Sequence, residues 1–238
     1  MIFNGWEDQL AFYLPSKSFA LIAFGTAYAV VLLAWFFARF AQRQRARKEC
    51  LAALVLLVQQ SHPQTLAHLE RVSIAAQKLA INLGLSRSRA RLVGYAALLH
   101  DIGKIAIDEK ILDKPSRLTP EERLTVQMHP AAGAMILGEM DDYKLIAEWI
   151  RLHHERLDGK GYPLGLTDPF IPIEARIISV VDAFDAMTES SDSLNSRPYR
   201  VPKSNSDALV ELEGCSGTQF CSKVVGEYVQ LWKEGSVA

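Results

Sequence analysis

Apolar residues recur at helical spacing along most of the chain and nowhere alternate over a useful length, so the pattern predicts an all-α protein. From Thr65, the positions Leu66, Leu69, Val72, Ala76 and Leu79 mark an amphipathic helix that Gly84 ends. "SRSRARLVGYAALLH" is the next, with Ser86 or Ser88 as N-cap. "LTPEERLTVQMHPAAGAMILGEM" holds two helices, the first starting at Thr119 or Pro120 with Glu122 placed for a capping box. "DDYKLIAEWIRLHH" follows, then a glycine-bearing loop, "HHERLDGKGYP". "PIEARIISVVDAFDAMTES", "SNSDALVELEG" and "SKVVGEYVQLWKEG" complete the helical set.

One segment breaks the amphipathic pattern. Phe19 to Ala38 is 20 residues without a charge. A helix of that length spans roughly 30 Å, the hydrocarbon core of a bilayer. A buried core helix would show a polar face, and this run has none. Glu7 and Asp8 stand where the basic region of a signal peptide belongs, so a transmembrane helix is expected instead. One cation, Lys17, precedes the run, whereas Arg39, Arg43, Arg45, Arg47 and Lys48 follow it. The positive-inside rule puts the N-terminus outside and the rest in the cytoplasm, at the inner (cytoplasmic) membrane. The expected organisation is therefore a short extracytoplasmic stretch (1–18), a transmembrane helix (19–38), a basic linker helix (39–64) and a helical domain (65–238). "SHPQ", Ser61 to Gln64, breaks the linker from the domain.

A formal net charge of −1 gives no reason to expect a nucleic-acid polymer as partner. The three cysteines, Cys50, Cys215 and Cys221, form no CxxC pair and suit neither a disulfide framework nor a zinc site.

The chemistry lies in the histidines: His62, His68, His100, His129, His153 and His154. Taken singly, each is most simply a satisfied core or surface residue. As a set they are harder to explain that way. His100 is followed by Asp101, His153 and His154 are adjacent at a helix end, and His129 marks another helix boundary. Asp182 sits on the apolar helix "IISVVDAF", where an unpaired carboxylate is costly. Neutral imidazoles and carboxylates are ligands for divalent first-row metals. Adjacent helical residues point about 100° apart, so a histidine pair can serve two ions or grip one from two sides.

In order, "HDIGK", "HP", "HHERLDGKGYP" and "DAFDA" resemble the HD-GYP branch of the HD phosphohydrolases, over roughly Thr65 to Trp232. "HLERVS", "RPYR" and "GTQF" also match segments of that family. The resemblance implies an HD-type helical bundle holding a metal centre, and cleavage of cyclic di-GMP. By position, the implied ligands are His68, His100, Asp101, His129, His153, His154 and Asp182, with Asp101 bridging. The implied cofactors are two divalent ions, iron or alternatively manganese, which activate a water for attack on phosphorus. Trinuclear relatives carry a glutamate where this chain has Gln64, which favours a binuclear centre.

Lys104, one turn after His100, is the expected catalytic cation. Arg176, Arg197 and Arg200 are further candidates for phosphate contact. Tyr162 faces the nucleotide or the metal cleft, or else serves a purely structural role. Gly159, Gly161 and Pro163 are expected to shape the loop, the glycines through positive φ. Glu155 and Asp158 are expected to support the histidines or the loop. The connection from Asp182 to Arg197 is longer than the family's usual one, which leaves a non-catalytic receptor module as an alternative. Another is a hydrolase of a different cyclic dinucleotide. The expected product is pGpG, with GMP as a further product. Expected partners are cyclic di-GMP, the membrane and a second copy of the chain in a homodimer.

Overall fold

A computed structural model describes residues 17–61, 65–188 and 202–236. His62 and Gln64, and with them the comparison at the trinuclear glutamate position, lie outside the described residues. So do Arg197, Arg200 and most of the long connection. The described residues are helical and contain no strand; only isolated pairings occur, Asp158 with Thr167 and Ser216 with Phe220. This agrees with the all-α reading.

Helix α1, Lys17–Ser61, runs through the uncharged segment and the basic segment after it. The chain divides into two compact units, the first ending at Leu51 and the second beginning at Ala52. In the first, Leu21–Ala46 is long and apolar enough to cross a membrane, and none of it is buried. Arg45 and Glu49 form an i,i+4 ion pair on its exposed surface (2.9 Å).

In the second unit the order is α2 (Thr65–Asn82), α3 (Arg87–Leu99), a 3₁₀ turn (Ile102–Ala106) and α4 (Glu109–Leu112). There follow α5 (Pro120–Val126), α6 (His129–Gly138), a second 3₁₀ turn (Asp141–Tyr143) and α7 (Lys144–Leu152). The last are α8 (Ile173–Thr188), α9 (Asn205–Gly214) and α10 (Ser222–Lys233). The two 3₁₀ turns and α4 are too short to leave a periodic signature, and the sequence pattern does not reveal them.

The ends follow local chemistry. Gly84 takes φ +88°, a left-handed value that closes α2. Ser86 Oγ accepts from Arg89 N and caps α3 (3.2 Å). Thr119 and Glu122 form a reciprocal capping box on α5, with Pro120 in the first turn. Of the two N-cap candidates for α3, Ser86 is therefore the one used.

The core is centred on α2, α3 and α8. Leu69, Val72, Ala76, Leu79 and Ala80 of α2 are buried against α3, whose Ala90, Val93, Ala96 and Ala97 permit close approach. The contact is tight enough for Ser73 Oγ to donate to the Gly94 carbonyl at 2.8 Å. Ile177, Ile178, Val180 and Val181 of α8 fill the space beneath. His68 in the first turn of α2, His100 at the end of α3 and Asp182 within α8 meet at this core.

Candidate metal centre

His100 is the C-cap of α3 and His153 the C-cap of α7. Each imidazole points its Nδ1 at a carbonyl three residues back in its own helix: His100 to Ala97 (2.7 Å) and His153 to Ile150 (2.6 Å). His129, at the start of α6, points its Nδ1 at the carbonyl of Val126, the last residue of α5 (2.8 Å). These carbonyls belong to helix ends that lack a backbone donor. The bonds make Nδ1 a proton donor in each ring and turn Nε2 toward the cluster.

His68 is held differently. Its Nδ1 donates to Asp185 Oδ2 at 2.7 Å, and Arg71 grips the same carboxylate with Nε (2.7 Å) and Nη2 (2.8 Å). Asp185 lies within the "DAFDA" stretch of α8, one helical turn from Asp182. The sequence reading gave no role to it or to Arg71, although the i,i+3 spacing of the two histidine-facing positions is visible there.

All seven expected ligands converge. His68 Nε2 lies 3.3 Å and His100 Nε2 3.4 Å from Asp182 Oδ1. Asp101 reaches both ways, with Oδ2 3.5 Å from His100 Nε2 and Oδ1 3.4 Å from His129 Nε2. Three groups, His129–His153–His154, His68–His100–Asp101 and His100–His153–Asp182, each bring their ligand atoms within 4.8 Å of one another. Lys104 Nζ sits 2.6 Å from Asp101 Oδ2.

The electrostatics suit a cation. Burial alone would raise the Asp101 carboxyl, but Lys104, His100 and His129 outweigh it and hold it well below the usual carboxylate range. Burial acts likewise on Asp182 and is outweighed by His100 and His68. Burial alone would lower the His68 imidazole, yet its bonds to Asp182 and Asp185 raise it to about 10. At His154 burial dominates and brings the ring down to about 3. Burial similarly lowers His129 and His153, which keeps them in the neutral, ligating form.

Two observations test whether these residues fit metal ions. The Nε2 atoms of His129 and His153 are buried without a hydrogen-bond partner, each at a cost of about 1–3 kcal/mol. Two ionised carboxylates stand in the same cluster, Asp101 buried and Asp182 half-buried. A set of orphaned imidazole lone pairs and carboxylates suits divalent first-row ions, so the residues fit.

The "HHERLDGKGYP" loop folds back on the end of α7. Glu155, buried, accepts backbone N–H bonds from Leu164 (2.6 Å), Gly165 (3.1 Å) and Leu166 (2.8 Å). It supports the loop and not the histidines. Asp158 pairs with Arg156 and takes the Thr218 carbonyl on its N–H, which ties the loop to the "GTQF" segment. Gly159 has the expected positive φ of 74°. Gly161 does not; its requirement is space, since a Cβ there would overlap the backbone of His154, Glu155 and Arg156. Tyr162 lies over His154, ring centroids 4.8 Å apart, and so faces the cleft. Glu155→Ala would strand three backbone donors. The expected loss is about 2 kcal/mol, or a fall in Tm of about 4–8 °C by calorimetry; an unchanged Tm would rule out the clamp.

Arg176 is not brought to the centre. Its guanidinium donates to the Ile171 carbonyl (2.7 Å) and pairs with Asp168, bracing the loop ahead of α8.

The profile of the HD domain family matches residues 53–224, and the chain belongs to that family. It is 39% identical over 188 residues to a cyclic di-GMP phosphodiesterase of Thermotoga maritima, covering 78% of this chain and 50% of the relative. It is 37% identical over 166 residues to the 3′3′-cGAMP-specific phosphodiesterase 3 of Vibrio cholerae, covering 69% and 35% respectively. A crystal structure of a cyclic GMP-AMP specific phosphodiesterase from Vibrio cholerae shares the fold (TM-score 0.57, 20% identity, covering 79% of this chain and 49% of that one). The chain thus spans about half the length, or less, of these curated relatives.

Proposed function

We propose that the chain is a membrane-anchored phosphodiesterase that hydrolyses cyclic di-GMP to pGpG, with GMP as a further product. The observation that carries the reading is the buried cluster of His68, His100, Asp101, His129, His153, His154 and Asp182, with its orphaned Nε2 atoms. Those residues would hold two divalent ions, iron or manganese. When bound, the ions polarise phosphoryl oxygens and lower the pKa of a coordinated water. In the reaction one water adds to phosphorus and the P–O3′ bond breaks. The 3′ oxygen leaves with a proton, and the linear product keeps a 5′-phosphate.

The chain's own side chains have definable tasks. Asp101, with one oxygen toward each end of the cluster, would bridge the two positions. Lys104 is the nearest lysine, bound to Asp101 and about a third exposed; it would turn toward a phosphoryl oxygen as charge builds there. Tyr162, over His154, offers a ring for one base of the substrate. Arg197 and Arg200 remain proposed phosphate contacts from the long connection, whereas the bonds of Arg176 leave it a bracing part.

The membrane reading is supported by Leu21–Ala46, none of it buried, and by the cations that follow Ala38. Phe19–Ala38 would cross the inner membrane with the N-terminus outside and the metal-binding unit in the cytoplasm. Pairing through the linker helix in a homodimer is part of the same proposal.

A second reading has a specific observation behind it. The similarity to a relative named for 3′3′-cGAMP makes a mixed purine cyclic dinucleotide the alternative substrate. The full chain in detergent, loaded anaerobically with iron or manganese, should be given each dinucleotide separately and the products resolved by chromatography. Metal-dependent pGpG from cyclic di-GMP, faster than turnover of cGAMP, is the expected result. The reverse preference would establish the second reading, and two bound ions with neither substrate cleaved would make the chain a receptor.

A further inference from the structure

The cluster has two unlike ends. At one, His68 and His100 face Asp182, and behind His68 stands a second carboxylate, Asp185, largely buried and clamped by both nitrogens of one edge of Arg71. At the other end His129, His153 and His154 gather; the Nδ1 partners of His129 and His153 are neutral backbone carbonyls. Asp101 is shared between the two.

We infer that Asp185, held by Arg71, is a positioning residue that makes the His68 end the tighter of two cation positions, so that the centre fills in a fixed order. The inference rests on the proposed two-ion reading of the site. A carboxylate that accepts the Nδ1 proton draws that proton outward and increases the donor strength of Nε2, and it fixes the ring's rotation. A neutral carbonyl does the second but less of the first. Arg71 has two effects. It offsets the charge of Asp185, so what reaches the ion is polarisation through the imidazole rather than an added long-range charge. It also engages both oxygens of Asp185, which keeps that side chain from replacing its neighbour one turn away, Asp182, as a ligand. The cost of ordering His68 is met by bonds that exist before an ion arrives.

The test is an equilibrium titration of the chelator-stripped full chain in detergent with Mn²⁺, reading free ion by its spin-resonance signal and bound ion by elemental analysis. The wild type should bind two ions in resolved steps. Asp185→Asn, which keeps shape but not charge, should weaken the first step by about 10–100-fold and leave the second within a few-fold. Arg71→Gln should act in the same direction and less. Because Arg71 is half exposed, this variant retains the fold and decides the matter if Asp185→Asn does not fold. Asp185→Glu, with a carboxylate on a longer arm, should restore part of the loss. Two ions with one shared affinity, or variants that weaken both steps equally or neither, overturn the inference and leave the two-ion reading standing. Fewer than two ions at saturation of the wild type overturns both.

Discussion

Asp101→Ala is expected to abolish retention of both ions and to lower turnover of a cyclic dinucleotide by about a thousand-fold or more. The reason is geometric. Among the described residues Asp101 is the carboxylate with an oxygen toward each end of the cluster, 3.5 Å from His100 Nε2 and 3.4 Å from His129 Nε2. Alanine leaves the imidazole end without an anionic ligand, and a divalent ion held by neutral nitrogens alone lacks charge compensation. The side chain is buried and makes its hydrogen bond to Lys104 at the margin of the fold, so the helices should persist, as circular dichroism can verify. Elemental analysis after desalting gives the decisive number. Two ions retained by Asp101→Ala would exclude it as the bridge.

Gly103→Ala is expected to be nearly as damaging by a different route. The 3₁₀ turn after Asp101 lies directly against the first turn of α6. A Cβ on Gly103 would overlap the His129 carbonyl and Gly133 N, both backbone atoms that cannot rotate away. The turn would have to lift, taking Asp101 away from His129. The expected cost is about 3 kcal/mol, seen as a Tm lower by about 6–12 °C, together with loss of bound metal. A variant with wild-type Tm and metal content would mean that the turn does not pack on α6 as described.

The proposed ligand set could be read from the sequence because its members lie in short motifs whose residue types admit few other uses. The structure brings all seven together. The supports were harder to read. Asp185 sits in a quoted motif, but nothing in a helical pattern says that its partner is His68, 117 residues away. Arg71 reads as an ordinary surface cation until its fork meets that carboxylate. Arg176 carried the right chemistry for phosphate and proved to be bound to Ile171 and Asp168, a tertiary choice that spacing cannot foretell. Gly161 was expected to need an unusual φ and instead needs room, because the close approach of Glu155 and Arg156 arises only when the loop folds back. Helix ends were the most readable features of the fold, since caps are chosen by neighbours in sequence.

The siting of His100 and His153 at the C-terminal ends of α3 and α7 has a consequence for the sequence of binding events. A helix carries about half a negative charge at that end, and two such ends meet here beside Asp101 and Asp182. Before metal arrives, these helix ends and carboxylates are offset by Lys104 and by a His68 raised to about 10, so the cleft carries little net charge, and a cyclic dinucleotide brings a negative charge on each of its phosphodiesters. Metal and substrate binding should therefore be coupled. Cation loading would displace the His68 proton and add net positive charge, which would strengthen the attraction for the molecule the centre would cleave. Cellular metal supply would accordingly govern substrate affinity itself, not only the rate of the step that follows.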